Sequence, residues 1–175
     1  LAYGTRSIMH ASYSKGLLDD STACVNASGA KNPMYDDVTT VNREIHAVGT
    51  DYLKYRNTGV SVCGDLSSAH SRVRVQLERQ ALRPNEANLD AIAQVTSDAA
   101  ILAGTFRGEQ DSRALLLVNT QNPWNPAASA DVRLQPQAEF VILHQGERKE
   151  AFLVPADGLT LHLESGEWAF VELVR

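Results

Sequence analysis

The sequence predicts a mainly β protein: an antiparallel β-sandwich over residues 59–175, preceded over residues 1–58 by a strand–loop–helix unit. Three observations lead there. Short apolar stretches centre on Ile101-Leu102, Leu115 to Val118, Val132 to Leu134, Phe140 to Leu143, Phe152 to Val154, Leu159 to Leu163 and Trp168 to Val174, a spacing typical of a sandwich or barrel. Turn sequences separate several of them. A different period governs Val38, Val41, Ile45, Val48 and Tyr52, which recur every three or four residues as on a helix with one apolar face.

Taken in order, Leu1 to Tyr13 is a mainly apolar run of strand length with Ile8 and Met9 at its centre, suited to a strand buried on both faces. The chain opens inside this run rather than in a polar leader, and reads as a piece of a longer protein. Ser14 to Asn32 turns to Gly, Ser, Asp, Asn and Lys, the composition of a long loop. Asn32-Pro33 starts the helix, because a proline's missing N–H costs nothing in the first turn. Asn57-Thr58-Gly59 is expected to end it, with Lys54 and Arg56 in the last turn, where cations suit the helix dipole. In residues 60–98, Val60, Val62, Val73, Val75 and Leu77 read as strand and Asn88 to Gln94 as a short helix. Further on, Leu159, Leu161 and Leu163 alternate with Thr160, His162 and Glu164, giving one buried and one wet face. Gln145-Gly146-Glu147, Pro155-Ala156-Asp157-Gly158 and Ser165-Gly166-Glu167 are expected to join neighbouring strands as hairpins.

Composition narrows the function classes. The 175 residues carry 16 Lys+Arg against 21 Asp+Glu, a net charge of −5, with the basic residues scattered along the chain, singly except for Arg148-Lys149. Nucleic acid is not an expected partner, since phosphate binding favours a basic stripe. No membrane partner is expected either: no stretch approaches the ~20 consecutive apolar residues of a spanning helix. Residues 1–58 balance six acidic against six basic side chains, so the negative excess falls in residues 59–175. Cys24 and Cys63 lack the spacing of a zinc site, and the sequence leaves open whether they are bonded or are two separate thiols.

Residues 29–62, GAKNPMYDDVTTVNREIHAVGTDYLKYRNTGVSV, resemble the last barrel helix of glycoside hydrolases of the beta-galactosidase-like kind. The matching residues are Gly29, Pro33, Tyr35, Val38, Val41, Asn42, Glu44, Ile45, Gly49, Gly59 and Val60. The tail, through Leu161, Leu163, Gly166, Trp168, Phe170, Val171 and Leu173, is similar to the C-terminal sandwich of the same enzymes. The resemblance implies that residues 1–58 are the last strand and helix of a (β/α)8 barrel. The remainder of that barrel, or another chain, would then pack against Val38, Val41, Ile45, Val48 and Tyr52. It also implies hydrolysis of O-glycosidic bonds by the parent protein with a pair of carboxylates. In that family they follow the fourth and seventh strands, which lie outside this chain. No catalytic residue, metal or cofactor is therefore expected here, and the chain would close and brace the barrel.

Residues just after a barrel strand line the active site, so the resemblance makes His10 and Tyr13 candidates for contacting sugar hydroxyls or stacking on a ring of a carbohydrate substrate. The family's Trp near this point has no counterpart, and His10 could equally be a satisfied core or loop histidine. His10, Ser12, Tyr13 and Asp19 include a nucleophile, a base and an acid, but no Gly-x-Ser-x-Gly elbow accompanies them. Trp124, in the turn NTQNPWNPAA, is a third candidate for sugar stacking, against the alternative that it plugs the end of the sandwich. Asp19-Asp20 and Asp36-Asp37 are carboxylate pairs that calcium or acid/base chemistry could use, or solvated charges of a loop and a helix start. Asn26-Ala27-Ser28 has the pattern of a glycosylation acceptor. His70, His144 and His162 stand apart in sequence and receive no role. The competing reading is a non-catalytic β-sandwich module that binds a glycan or a protein.

Overall fold

The computed structural model describes residues 1–8, 23–79, 89, 92–122, 124–125 and 128–174. The protein is mainly β, with two antiparallel sheets facing one another. The larger has six strands in the order β1 (Arg56–Cys63), β3 (Ile101–Arg107), β4 (Arg113–Asn119), β9 (Trp168–Val174), β6 (Phe140–Gln145) and β7 (Arg148–Leu153). The smaller holds β2 (Ala93–Thr96), β5 (Ser129–Pro136) and β8 (Leu159–Glu164). Helix α1 (Pro33–Tyr52) and the shorter α2 (Ser71–Arg79) are the α-helices among the described residues, with single 3-10 turns at Leu66–Ser68 and Glu109–Asp111.

The seven strands expected from Ile101 to Val174 all form. Their alternation builds the core between the sheets, where Ile101, Leu115, Leu117, Val141 and Val171 meet Val132, Leu134, Leu161 and Leu163. The opposite face of the six-stranded sheet is also apolar. There Leu102, Phe106, Leu116 and Phe170 are buried against Val48 and Tyr52 of α1 and the following Tyr55. Central strands β3, β4 and β9 are thus covered on both sides, which an antiparallel sheet with one wet face does not require. Aromatic rings seat the helix: Phe170 lies edge-on to Tyr52, Tyr55 and Phe106, with centroids 5.8, 5.6 and 6.1 Å away.

Several local expectations are corrected. Residues 1–8 are not a strand. Leu1 to Gly4 form a tight turn whose carbonyls are taken by side chains, Tyr52 Oη donating to Leu1 O at 2.8 Å and Asn57 Nδ2 to Ala2 O at 2.9 Å. Ala2 sits so close on β3 that a Cβ at Gly104 would come within 2.4 Å of its carbonyl oxygen. Helix α1 begins at Pro33 as expected but stops at Tyr52, leaving Lys54 beyond its end and Arg56 as the first residue of β1. The ladder to β3 claims Arg56 to Cys63, so strand pairing overrides the local stop signal at Asn57-Thr58-Gly59. Val73, Val75 and Leu77 lie on α2, where Leu77 is buried and Val75 exposed. Arg, Gln and Glu between them favour helix, and an Arg74–Glu78 pair one turn apart supports it. Ala93 and Gln94, expected in a helix, open β2.

The turns also sort differently. Gly146-Glu147 joins β6 to β7 as the expected hairpin, with Gly146 at φ 59° as primed turns demand. Residues 155–158 and 165–167 instead carry the chain from one sheet to the other, because β8 belongs to the three-stranded sheet and its flanking strands to the six-stranded one. Strand β7 is exposed along its whole length, as the edge of the larger sheet. Its Arg148, Lys149 and Glu150 discourage pairing with another chain.

The apolar stripe of α1 is divided. Val48 and Tyr52 are buried on the sheet, while Val41 is exposed and Val38 and Ile45 are half-covered. Val48→Asp should accordingly cost several kcal/mol, since it buries an unpaired charge. Ile45→Asp should cost no more than about 1 kcal/mol in the same urea titration. Equal losses at the two positions would mean that the whole stripe is covered.

Candidate functional site

A polar cluster is enclosed where the end of α1 crosses β6 and β9. Glu172 lies two residues beyond Phe170 on β9 and so shares its face, placing its carboxylate beneath the helix rather than in the sandwich core. His144 is brought opposite by the β6–β9 ladder, where it pairs with Phe170. His144 Nε2 lies 2.8 Å from Glu172 Oε1 and 3.8 Å from Asp51 Oδ2, and Tyr55 Oη donates to Glu172 Oε2 at 2.9 Å. Asp51, in the last turn of α1, receives Lys149 Nζ on one oxygen and Lys54 Nζ on the other, each at 2.5 Å. His144 and Glu172 are buried, and Asp51 nearly so.

Burial alone would raise the Asp51 carboxyl. The hydrogen bonds and charges of Lys149 and Lys54 outweigh that effect and hold its pKa down to about 2. Burial first, then the charge of Glu172 and the bond to it, pushes the Tyr55 hydroxyl up to about 12, so it remains a donor across the ordinary pH range. Donor atoms of Asp51, His144 and Glu172 lie within 4.8 Å of one another, close enough to surround a metal ion. Their charges are already met, however: Asp51 by two ammonium groups, Glu172 by a phenol and an imidazole. A cation would have to displace Lys149 and Lys54 from Asp51 and break the His144–Glu172 contact, so the donor set fits a metal poorly. The cluster is a clamp, tying the end of α1 to β6, β7 and β9 through polar groups that satisfy one another.

Of the residues singled out from sequence, His10, Tyr13, Ser12, Asp19 and Asp20 lie outside the described residues. Trp124 is on the surface, 76% exposed, with its ring 5.4 Å from that of His70 at a tilt of 57°. It does not plug the sandwich. His70 arrives beside it through a backbone bond from its N–H to Thr120 O. Asp36, in the first turn of α1, and Asp37, just after it, are exposed. Cys24 and Cys63 are not joined by a disulfide. Asn26 and Ser28 lie in a tight turn in which Asn26 Oδ1 accepts from Ser28 Oγ at 2.7 Å. Sequence reasoning passed over His144 and Glu172. Polar residues inside the apolar strands FVILHQ and WAFVELV were the available signal.

No protein-family model, curated protein or solved structure matches this chain.

The Asp51 carboxyl titrates lower in the folded protein than in the unfolded chain. Its contribution to stability is therefore complete above about pH 4, the ordinary carboxylate range, and is lost as pH falls toward about 2. Melting curves over this range should show an acid limb that is shallower in Asp51→Asn than in the wild type. Parallel limbs would mean that Asp51 is not ion-paired in solution.

Proposed function

We propose that this chain is the C-terminal part of a carbohydrate-active enzyme that hydrolyses O-glycosidic bonds, and that its task is to close and brace a (β/α)8 barrel rather than to do chemistry. The observation that carries the proposal is the divided stripe of α1. One end of the helix is anchored to the sandwich by Val48, Tyr52 and Tyr55, while Val38, Val41 and Ile45 at the other end offer apolar surface to something else. A helix shared between a sandwich and a second body is what the resemblance in residues 29–62 implies for the last barrel helix. A groove of about 220 Å³ between α1 and residues 1–8, lined by Leu1, Ile8, Ile45 and Leu53 among others, extends that surface. The buried clamp suits a brace, because it fixes the angle at which the helix leaves the sheet.

A second reading is favoured by Trp124. An indole this exposed beside an imidazole is a stacking platform for a sugar ring, and it would serve a non-catalytic glycan-binding module.

The 175-residue chain should release no nitrophenol above buffer background from a panel of aryl glycosides, whereas the full-length product of the same gene should turn over at least one of them. Amides in residues 38–45 should exchange faster in the chain than in that full-length product. Turnover by the chain alone, or an inactive full-length protein, would sink the brace. Quenching of Trp124 fluorescence by a neutral oligosaccharide, lost in Trp124→Ala, would support the binding module instead.

A further inference from the structure

We propose that a basic pocket at the end of the β1–β3 ladder binds a small organic ligand through an oxyanion group, a carboxylate, sulfate or phosphate. The pocket has a volume of about 450 Å³ and is lined by Arg6, Lys54, Arg56 and Arg107, with Glu109 the acid among its lining residues. Such a concentration stands out in a chain of net charge −5.

The arrangement runs against ordinary sheet energetics. Arg56 and Arg107 are directly opposite in the β1–β3 register, and Arg107 is directly opposite Arg113 in the β3–β4 register. Like charges in facing positions repel. The counterions nearby are shared rather than matched. Asp111 serves both Arg107, at 2.5 Å, and Arg113, at 3.0 Å. It does so from a backbone with Gln110 at φ 52° and Asp111 at φ 62°, a left-handed conformation that non-glycine residues adopt at a cost. Asp51 is likewise divided between Lys54 and Lys149. Arg6 spends one N–H on the Leu53 carbonyl at 2.9 Å, so the negative end of α1 is already answered there. Arg56 makes no ion pair among the described residues. Two guanidinium groups, Arg6 and Arg56, are therefore left to face the pocket with donors to spare, in the fork geometry that suits an oxyanion.

Size argues for more than an inorganic ion. A cavity of this volume falls in the range that holds small organic ligands, and the anionic group would fill only part of it. Using sugar acids as probes rests on the carbohydrate reading above; binding of an oxyanion as such does not.

Calorimetric titration of the 175-residue chain at low salt with glucuronate, glucose 6-phosphate, sodium sulfate and glucose tests the proposal. At least one of the two sugar anions should bind saturably at one site, be displaced by sulfate and weaken as salt rises, and glucose should not bind. Arg56→Gln should weaken the binding about tenfold, the loss of one charge-assisted contact, while Arg133→Gln on the other sheet should leave it unchanged. Without ligand, Arg56→Gln should melt no lower than the wild type, because it relieves the facing charges. Absence of saturable binding, binding of sulfate alone, equal binding of glucose, or full binding by Arg56→Gln would each overturn the site. So would a lowered melting temperature in Arg56→Gln, by showing the arginine pair to be stabilising in itself. None of these results bears on whether the full-length protein is a glycosidase.

Discussion

Strands β3, β4 and β9 carry apolar side chains on both faces, and everything else in the fold follows from the need to cover both. Ile101, Leu115, Leu117 and Val171 point into the sandwich, while Leu102, Phe106, Leu116 and Phe170 point the other way. A second sheet satisfies the first set. The second set would be left in water without α1, Tyr55 and the turn at Ala2. Burying aromatic and leucine side chains contributes roughly 1.5–3 kcal/mol each, so leaving this face open is not a stable alternative.

This constraint fixes where the helix sits but not its angle. Aromatic packing around Phe170 is broad and tolerant of rotation. The polar clamp is not, because hydrogen bonds from Tyr55 and His144 to Glu172 and from two lysines to Asp51 have directional demands. Each group removed from water there has a partner, and losing one would strand the others in a low-dielectric site. The helix leaves the sheet in one direction as a result. Its far end, with Val38, Val41 and Ile45, becomes a surface whose position is set by the sandwich.

The same closure shapes the charge distribution. Turning from α1 into β1 within residues 53–55 places Lys54 and Arg56 beside Arg107, whose other neighbour is Arg113, the first residue of β4. Asp111 is pressed between Arg107 and Arg113 by a strained turn. A positive pocket thus arises on a negatively charged protein from residues that are scattered along the chain.

What the sequence determined by itself was local and periodic. The strands from Ile101 to Val174, the helix start at Asn32-Pro33 and the hairpin at Gly146 are legible because period, proline and glycine act within a few residues. Where the sequence misled, a distant partner outweighed the local signal. Pairing with β3 drew Arg56 to Gly59 out of the expected helix end, and side chains of Tyr52 and Asn57 bound the carbonyls of Leu1 and Ala2 in place of a ladder. The turns at 155–158 and 165–167 look like hairpins, and only the sheet order shows that they cross between sheets. Trp124 was visible as a polar-flanked aromatic, but its neighbour His70 was not. The clamp and the basic pocket belong wholly to the tertiary structure, because Asp51, His144 and Glu172, like Arg6, Arg56 and Arg107, are separated by tens of residues. Charge acts through space, and no spacing along the chain records which charges the fold will bring together.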